Sequence, residues 1–248
     1  MIDFRNVSVS FGAKTVFQDL NFSMRFSERI AILGESGSGK TTILRLILGL
    51  LRPDQGKIRI SDLDITGLSE IQIKKARLNF RIVFQEGALF DSLNVYENVA
   101  FSLRESVSIP EAEIEKRVRS LLKRLDMEAS IHLMPEELSG GMKRRVAIAR
   151  ALAGGKPRMM LYDEPSGGLD PLKATQICRL IKEVSEGEST SRTGLILVTH
   201  QVRDAAELAD RFMFLKSKGI AFDGSLSELK KADDSEIRSF FREIVQTN

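Results

Sequence analysis

A cluster of glycines and hydroxyl side chains at 34–41, GESGSGKT, has the composition of a phosphate-binding loop. Its spacing, Gly34-x-x-x-x-Gly39-Lys40-Thr41, fits the P-loop pattern, with a strand-like apolar run before it and a helical pattern after it. Glycines let backbone N–H groups surround phosphates, a lysine reaches the outer phosphates, and a threonine hydroxyl can ligate Mg²⁺. We therefore expect a nucleotide with Mg²⁺ here rather than an ordinary glycine-rich turn.

A second segment with anion-binding chemistry, ELSGGMKRR, lies at 137–145. Ser139, Gly140 and Gly141 stand where a helix is predicted to begin, and basic residues follow them. The N–H groups at a helix N-terminus attract anions, as do nearby cations. The chain thus carries two candidate phosphate-binding loops, about a hundred residues apart.

Two carboxylates end the apolar run in RMMLYDEP at 158–165. Ligands of open α/β sheets bind at the carboxyl ends of the strands, which is where Asp163 and Glu164 would lie. Asp163 would hold Mg²⁺, directly or through water, and Glu164 would accept a proton from an attacking water molecule. An apolar strand ending in Asp-Glu is by itself more often a solvated strand end, so the catalytic interpretation depends on the P-loop.

Three further residues are candidates because of where they stand in the sequence. His200 follows GLILVT (194–199) and would contact the terminal phosphate, although a lone histidine is more often an exposed or hydrogen-bonded one. Gln85 ends another apolar run and would reach Mg²⁺ or water. Phe11 would stack on a base, with a buried core aromatic as the alternative.

Short apolar strands alternate with helical patterns, which predicts an α/β fold with a largely parallel sheet covered on both faces. The first sixty residues read instead as short strands joined by polar turns. A helical stretch at about 86–153 would be an inserted subdomain, and 225–248 is a separate helical pattern. The strands that would position the candidate residues are RIAIL (29–33), RIVFQ (81–85), RMMLY (158–162) and GLILVT (194–199).

Length and composition are those of a soluble globular chain with one sizeable domain or two coupled lobes. The 248 residues include 37 basic and 34 acidic side chains, and the net charge of +3 demands no nucleic-acid partner. A single cysteine, Cys178, cannot form an internal disulfide, and the first residues do not look like a secretory signal. No apolar stretch approaches the ~20 residues of a membrane span, so we expect a cytoplasmic protein.

Seven features in this order resemble the ATP-binding cassette (ABC) ATPases over about residues 2–224. Phe11 matches the adenine-stacking aromatic of that family, GESGSGKT matches its Walker A motif, and Gln85 matches its Q-loop. LSGGM (138–142) matches the signature, and RMMLYDE (158–164) matches Walker B. SGGLD (166–170) matches the D-loop, and His200 matches the H-loop. The resemblance implies a P-loop NTPase of the ABC type, with a mostly parallel sheet core, an N-terminal antiparallel β subdomain and an inserted helical subdomain.

The same resemblance implies an ATPase and assigns roles to the matching residues. Catalysis would involve Lys40, Gln85, Glu164 and His200, and Mg²⁺ would be held by Thr41, Gln85 and Asp163. Besides Phe11, the residues implied to bind ATP within one chain are Gly34, Ser36, Gly37, Ser38, Gly39, Lys40, Thr41 and Thr42.

Family resemblance also accounts for the second loop. In that family two cassettes pair head to tail, and each ATP lies between the P-loop of one chain and the signature of the other. Ser139, Gly140 and Gly141 would therefore bind the γ-phosphate of the partner's ATP. Met142 stands where the common signature has Gln, and it cannot donate a hydrogen bond, so we expect one polar contact to be lost while activity survives.

Three segments together resemble the ATPase of Mla-type lipid transporters: EGALFDSLNVYENVAFSLRE (86–105), HLMPEELSGGMKRR (132–145) and LYDEPSGGLDP (161–171). The resemblance extends into the tail, LKKADDSEIRSFF (229–241). This similarity implies a second copy of the chain, an integral membrane permease, a lipid-binding substrate protein and a small regulatory domain as partners, and no nucleic acid. The ATPase would drive movement of lipid, phospholipid above all, between bacterial membranes from the cytoplasmic face of the inner membrane.

Other functions remain open on the sequence alone. The chain would instead serve another importer, or be a soluble ABC ATPase of translation or DNA repair, although it lacks their second cassette or long coiled-coil insert. A binding module without catalysis is opposed by the presence of both Glu164 and His200.

The predicted organisation is an ABC ATPase domain at 1–224, whose helical subdomain spans about 86–153, and a helical extension at 225–248. Within 86–105, Leu89 and Phe90 would contact a permease or pack inside the helical subdomain. The extension carries one apolar stripe that would pack on its own chain or on the paired ATPase: Ile237, Phe240, Phe241, Ile244 and Val245.

Overall fold

The computed structural model describes residues 1–106, 109–155, 157–186 and 193–241, and its strands fall into two sheets. In chain order the strands are β1 Ile2–Phe11, β2 Lys14–Met24, β3 Arg29–Leu33, β4 Gln55–Ile60, β5 Leu63–Asp64, β6 Phe80–Val83, β7 Met159–Asp163, β8 Gly194–Val198, β9 Arg211–Lys216 and β10 Gly219–Gly224.

The smaller sheet is antiparallel and has the strand order β2-β1-β4-β5. Its central strand, β1, buries alternate side chains such as Ile2 and Phe4 and exposes others, as a sheet with one solvated face does. The antiparallel N-terminal sheet predicted from the sequence is confirmed.

The larger sheet has the order β10-β9-β3-β8-β7-β6, and all its strands are parallel except β10. β3, β7 and β8 are buried along their whole length, because elements cover both faces of the sheet. The predicted parallel core is confirmed. Phe84 and Gln85, predicted within a strand, follow the end of β6 instead.

Helices occupy the connections between these strands. They are α1 Lys40–Ile47, α2 Glu70–Arg77, α3 Val95–Ser106, α4 Glu111–Arg124, α5 Gly140–Ala153, α6 Pro171–Glu186, α7 Val202–Leu208, α8 Leu226–Leu229 and α9 Ser235–Phe240. α1 ends at Ile47, and the turn after it contains Gly49 at φ 62°. α4 begins directly after Pro110. The sequence SIPE at 108–111 predicts a capping box for this helix, but Ser108 lies outside the described residues.

Three hydrophobic clusters hold these elements together. One joins the antiparallel sheet to α1 and one face of the parallel sheet, and a second joins α3, α4, α5 and α6 to the other face. The third packs the end of the chain on β3 and β9, around Leu33, Phe214 and Phe241. The P-loop strand β3 therefore contributes to the clusters on both sides of it.

Candidate nucleotide site

The loop at 34–39 joins the end of β3 to the start of α1, as the P-loop pattern predicts. Gly34 and Gly39 have φ angles of 149° and 99°, which side chains rarely adopt. A Cβ on Gly39 would lie 2.5 Å from Cζ of Phe17, and one on Gly34 would lie 2.7 Å from the carbonyl oxygen of Leu215. The loop can therefore take this path only with glycine at both positions.

Lys40 and Thr41 open helix α1 beneath that loop. The buried Lys40 ammonium donates hydrogen bonds to the carbonyl oxygens of Gly34 (2.9 Å) and Glu35 (3.0 Å). Burial lowers the pKa of this lysine, although the carboxylates of Glu164 and Asp163 act against that shift. An anion bound in the loop would stabilise the charged form of Lys40. Thr42 follows in the same helix turn, and Ser36, Gly37 and Ser38 form the loop itself.

The carboxylate of Asp163 lies at the carboxyl end of β7 and faces α1. Its Oδ1 accepts a hydrogen bond of 3.0 Å from the hydroxyl of Thr41. Burial raises the pKa of Asp163, the neighbouring Glu164 adds to the rise, and the Thr41 hydroxyl opposes it. A divalent cation between these two oxygen ligands would remove that penalty.

Glu164 is the next residue and sits in a strained backbone conformation. Its φ is 48°, a left-handed conformation that costs roughly 1–3 kcal/mol in a residue other than glycine. Its Oε2 accepts hydrogen bonds from the hydroxyl of Thr199 (3.1 Å) and the backbone N–H of His200 (3.4 Å). Nδ1 of His200 lies 2.9 Å from the same oxygen, so the two predicted catalytic side chains are in contact.

Gln85 and Phe11 are two candidate residues that the sequence placed outside the P-loop and the ends of β7 and β8. The side-chain nitrogen of Gln85 lies 3.7 Å from the position that a Cβ on Gly167 would occupy, which places it beside the turn after Glu164. Phe11 ends β1 and is 49% exposed, so the buried-core alternative for this ring is wrong.

Ser139, Gly140 and Gly141 form the start of α5, where the sequence predicted a helix N-terminus. The Ser139 hydroxyl accepts a hydrogen bond of 3.3 Å from the N–H of Met142, and the backbone carbonyl of Ser139 accepts one from the N–H of Lys143. Ser139 and Gly140 are exposed, whereas the Met142 side chain packs against the helical cluster. The first N–H groups of an α-helix lack partners within it, so this exposed end suits an external anion.

Comparison with known proteins decides the family. The family model described as ABC transporter matches residues 17–167. This chain belongs to the ABC transporter family. It is 35% identical over 240 residues to the intermembrane phospholipid transport system ATP-binding protein MlaF of Escherichia coli strain K12, covering 97% of this chain and 88% of that one.

Other relatives of this ABC ATPase carry different names. The Arabidopsis thaliana protein TRIGALACTOSYLDIACYLGLYCEROL 3, chloroplastic, is 36% identical and is covered over 73% of its length, with 97% of this chain. A probable ribonucleotide transport ATP-binding protein, mkl, of Mycobacterium leprae is 34% identical, over 96% of this chain and 68% of that one.

Solved structures of the ATP-binding cassette MJ0796 share the fold of this ABC ATPase. One is described as a dimeric, post-hydrolysis state bound to ADP and Pi; its TM-score is 0.80 at 29% identity, covering 91% of this chain and 99% of that chain. A second dimeric structure is 31% identical with the same TM-score of 0.80. The chain is thus an ATPase whose structural relatives are dimers.

Arg144 is a residue of the ABC ATPase site that the sequence reasoning missed. Its buried guanidinium donates hydrogen bonds to the carbonyl oxygens of Gln85, Pro165 (2.6 Å) and Gly167 (2.5 Å). It therefore joins α5, which begins with the signature, to the Q-loop and to the turn after Glu164. Burial lowers the pKa of Arg144. A cation inside the apolar helical pattern of 140–153 was the available signal.

In the described part of the chain, no group of three or more His, Cys, Asp and Glu side chains is placed to hold a metal ion. Mg²⁺ suits the ABC ATPase site nevertheless, because it keeps few protein ligands and takes others from water and phosphate. The Thr41 hydroxyl and the Asp163 carboxylate, in direct contact, are ligands of that kind. No helix among the described residues is both long enough and apolar enough to cross a membrane.

Proposed function

We propose that this ABC ATPase powers a membrane permease that moves lipid. Lipid is proposed because one relative is named as the ATP-binding protein of a phospholipid transport system. The observation that carries the proposal is a groove of about 330 Å³ beside the Q-loop. We call it the arginine-lined groove; its residues are Leu48, Leu50, Arg77, Phe80, Arg81, Ile82, Phe84, Ser102, Arg150 and Ala151.

An exposed aromatic pair continues the arginine-lined groove. The rings of Phe90 and Phe101 are 4.7 Å apart and tilted, and the guanidinium of Arg150 lies 5.6 Å from the centre of the Phe90 ring. Phe90 and Phe101 are 42% and 41% exposed, whereas Leu89 packs against the helical cluster. Of the two contacts expected from the sequence, Phe90 is the more exposed, so we propose the Phe90–Phe101 pair as the surface that contacts a permease.

The same groove is connected to the nucleotide site. Arg150 donates hydrogen bonds to the carbonyl oxygens of Gly87 (2.8 Å) and Ala88 (2.7 Å), within the loop that follows Gln85. A segment of permease held in the groove would move with this loop. Clefts with apolar walls and a few placed cations are suited to binding a short amphipathic helix.

Within the site we propose the roles that the family resemblance implied. Glu164 is the general base, oriented with His200, and Lys40 and Gln85 act on the γ-phosphate and its water. Mg²⁺ would be held by Thr41, Gln85 and Asp163. ATP is bound by Phe11 and the P-loop of one chain and by Ser139, Gly140 and Gly141 of a second copy.

Under this proposal the remaining partners are a lipid-binding substrate protein and a small regulatory domain. The chain would work at the cytoplasmic face of the inner membrane, held there by the permease, without nucleic acid. The ABC ATPase domain would span 1–224 with a helical subdomain at about 86–153. Lipid as cargo is supported by the relative of 35% identity; the relative named for ribonucleotide transport makes another importer the second candidate.

The test replaces exposed aromatics by charge. Phe90→Asp with Phe101→Asp should abolish copurification with the coexpressed permease, while ATP binding stays within about twofold. The matched control is Leu63→Asp, because Leu63 is 41% exposed but lies in β5 of the smaller, antiparallel sheet. Extraction of the wild-type complex should yield bound phospholipid. A double variant that still assembles, or a complex without lipid, would contradict the corresponding half of the proposal.

A further inference from the structure

Asp204 is a buried carboxylate that the proposed chemistry does not use. It lies in the first turn of α7 and accepts a hydrogen bond from the hydroxyl of Ser166, which is fully buried. The thiol of Cys178 on α6, also fully buried, lies near the same carboxylate. Burial raises the pKa of Asp204, and the Ser166 hydroxyl and the Cys178 thiol oppose that rise. A buried carboxylate retained at this cost suggests a task for it.

The turn at 164–167 is the segment that Asp204 contacts. It begins with the strained Glu164, and the N–H of Gly167 closes it by donating to the Glu164 carbonyl at 3.1 Å. Ser166 lies inside the turn, two residues after the proposed general base. Because strained backbone persists only where its surroundings fix it, contacts to this turn determine where the Glu164 carboxylate points.

Residues 198–204 hold the turn at two places. At its start, the N–H of Glu164 donates to the carbonyl of Val198 at 2.8 Å, and Thr199 and His200 bind the Glu164 carboxylate. At its other end, Ser166 binds Asp204. Arg144 holds the same turn from α5 through the carbonyl oxygens of Pro165 and Gly167, so the Ser166–Asp204 hydrogen bond adds a contact from α7 at the side chain inside the turn.

We propose that Asp204 is a positioning residue for ATP hydrolysis: through the Ser166 hydroxyl it fixes the turn at 164–167, and so aims Glu164. The inference rests on the proposed role of Glu164 as general base. Asp204 itself touches neither nucleotide nor water in this assignment. Its effect is geometric, so it acts on the turnover number of bound ATP and leaves ATP affinity to the P-loop.

The decisive variant is Ser166→Ala in the full chain, which removes one hydroxyl and adds no bulk. We expect kcat for ATP hydrolysis to fall about 10- to 100-fold, the effect of a misplacement near 1 Å, with KM for ATP within about twofold. Asp204→Asn should retain kcat within about threefold, because an amide oxygen accepts the Ser166 hydrogen bond and the amide N–H₂ can face the Cys178 sulfur.

Cys178→Ala is the matched control. It removes another buried group that lies near Asp204, but it leaves the turn at 164–167 intact. We expect it to lower the melting temperature while kcat stays within about twofold of wild type. Equal losses of kcat in Ser166→Ala and Cys178→Ala would overturn the proposal, because they would reflect general loosening.

Hydrogen exchange gives a readout that does not depend on the general base. The Gly167 amide, bonded to the Glu164 carbonyl, should exchange faster in Ser166→Ala and at the wild-type rate in Cys178→Ala. Unchanged exchange in Ser166→Ala would overturn the positioning role. Retained hydrolysis in Glu164→Gln would instead overturn the assignment of the base, and Gly167 exchange would still decide the role of Asp204.

Discussion

At the scale of single residues, Lys40 is expected to make the stability of the folded chain depend on bound nucleotide. Its ammonium is buried beneath the P-loop, its pKa is lowered by that burial, and it bonds two carbonyl groups of the loop. Desolvation of the charge opposes folding, and phosphate would compensate it. The same residue is thus expected to be neutral or unfavourable for folding without ATP and favourable with it.

Lys40→Met tests this because methionine keeps much of the length without the charge. We expect its melting temperature without nucleotide to equal or exceed that of wild type. ATP at 100 times Kd should raise the free energy of unfolding of wild type by about 3 kcal/mol, and this increase should be absent in Lys40→Met. Thermal melts with and without ATP and Mg²⁺ measure both. A full ATP-induced increase in the variant would show that Lys40 does not bind the nucleotide.

Also at the scale of single residues, Asp204 should make the free energy of unfolding depend on pH. Its folded-state pKa lies above the ordinary value, so its contribution to stability is fully present in acid and is lost as the pH rises through the folded pKa. The Asp204→Asn variant has no carboxylate to ionise, so it does not lose stability in this way. The charges of Glu164 and Arg203 also act on the Asp204 carboxylate; Glu164 raises its pKa and Arg203 lowers it. The stability of Asp204→Asn relative to wild type should therefore be greater at pH 7 than at pH 4. Urea unfolding at both values checks the sign.

At the scale of elements, the sequence located those parts of the site that follow from local patterns. The P-loop stands between β3 and α1, and Asp163 ends β7, because glycine spacing and apolar runs encode local backbone. Arg144 and Asp204 were not found, since their partners lie far along the chain and no periodicity pairs them. Burial likewise separated Leu89 from Phe90, which no pattern distinguishes.

The end of the chain is the element whose packing the sequence left undecided. Ile237 and Phe241 are buried on β3 and β9, and the rings of Phe240 and Phe241 meet Phe214 edge-on at 4.9 and 6.1 Å. In the described residues, the stripe therefore packs on its own chain. Ile244 and Val245 lie outside the described residues, so contact of this end with the paired ATPase stays a prediction, as does the boundary at 225.

Phe241→Ala measures what this packing contributes. Removing a fully buried aromatic ring should lower the free energy of unfolding by about 3–5 kcal/mol, partly through the cavity left behind. The control is Ile71→Ala, since Ile71 is 81% exposed on α2 and should change stability little. Denaturant unfolding of the isolated chain compares them. A small effect at Phe241 would mean that the end of the chain detaches in solution.

Deletion of 242–248 isolates the other half of the question. The variant keeps Ile237 and Phe241, so its melting temperature should match that of wild type. If the deleted residues join two ATPases, nucleotide-free dimers of the variant should already dissociate at a higher protein concentration than wild-type dimers do. Light scattering measures this. Unchanged melting together with unchanged dimerisation would leave these residues without a role in either.

At the scale of the whole molecule, the two proposed phosphate-binding loops of one chain are expected to act in a pair of chains. Ser139 makes its hydrogen bonds within the start of α5, on a different cluster from the P-loop. Structural relatives with this fold are dimers. The expected arrangement is two composite sites, each with the P-loop of one chain and the signature of the other.

Mixed dimers test the composite sites. Lys40→Ala and Ser139→Arg chains should each be inactive alone. Mixed together, they form some dimers in which one site carries both lesions and the other carries none, so part of the ATPase activity should return. Two Lys40→Ala preparations mixed with each other serve as the control. Full activity of Ser139→Arg alone would exclude the signature from nucleotide binding.

The buried thiol of Cys178 also makes this chain convenient for site-specific labelling. It is the sole cysteine in the sequence, it lies in the interior against Asp204, and its pKa is raised by burial. Thiolates, not thiols, react with maleimides and nitroxide reagents, so the native chain should resist them while it is folded. A cysteine introduced at exposed Leu63 would then carry a single spectroscopic probe, and distances between two such probes would follow opening and closing of a pair of chains without first removing the native residue.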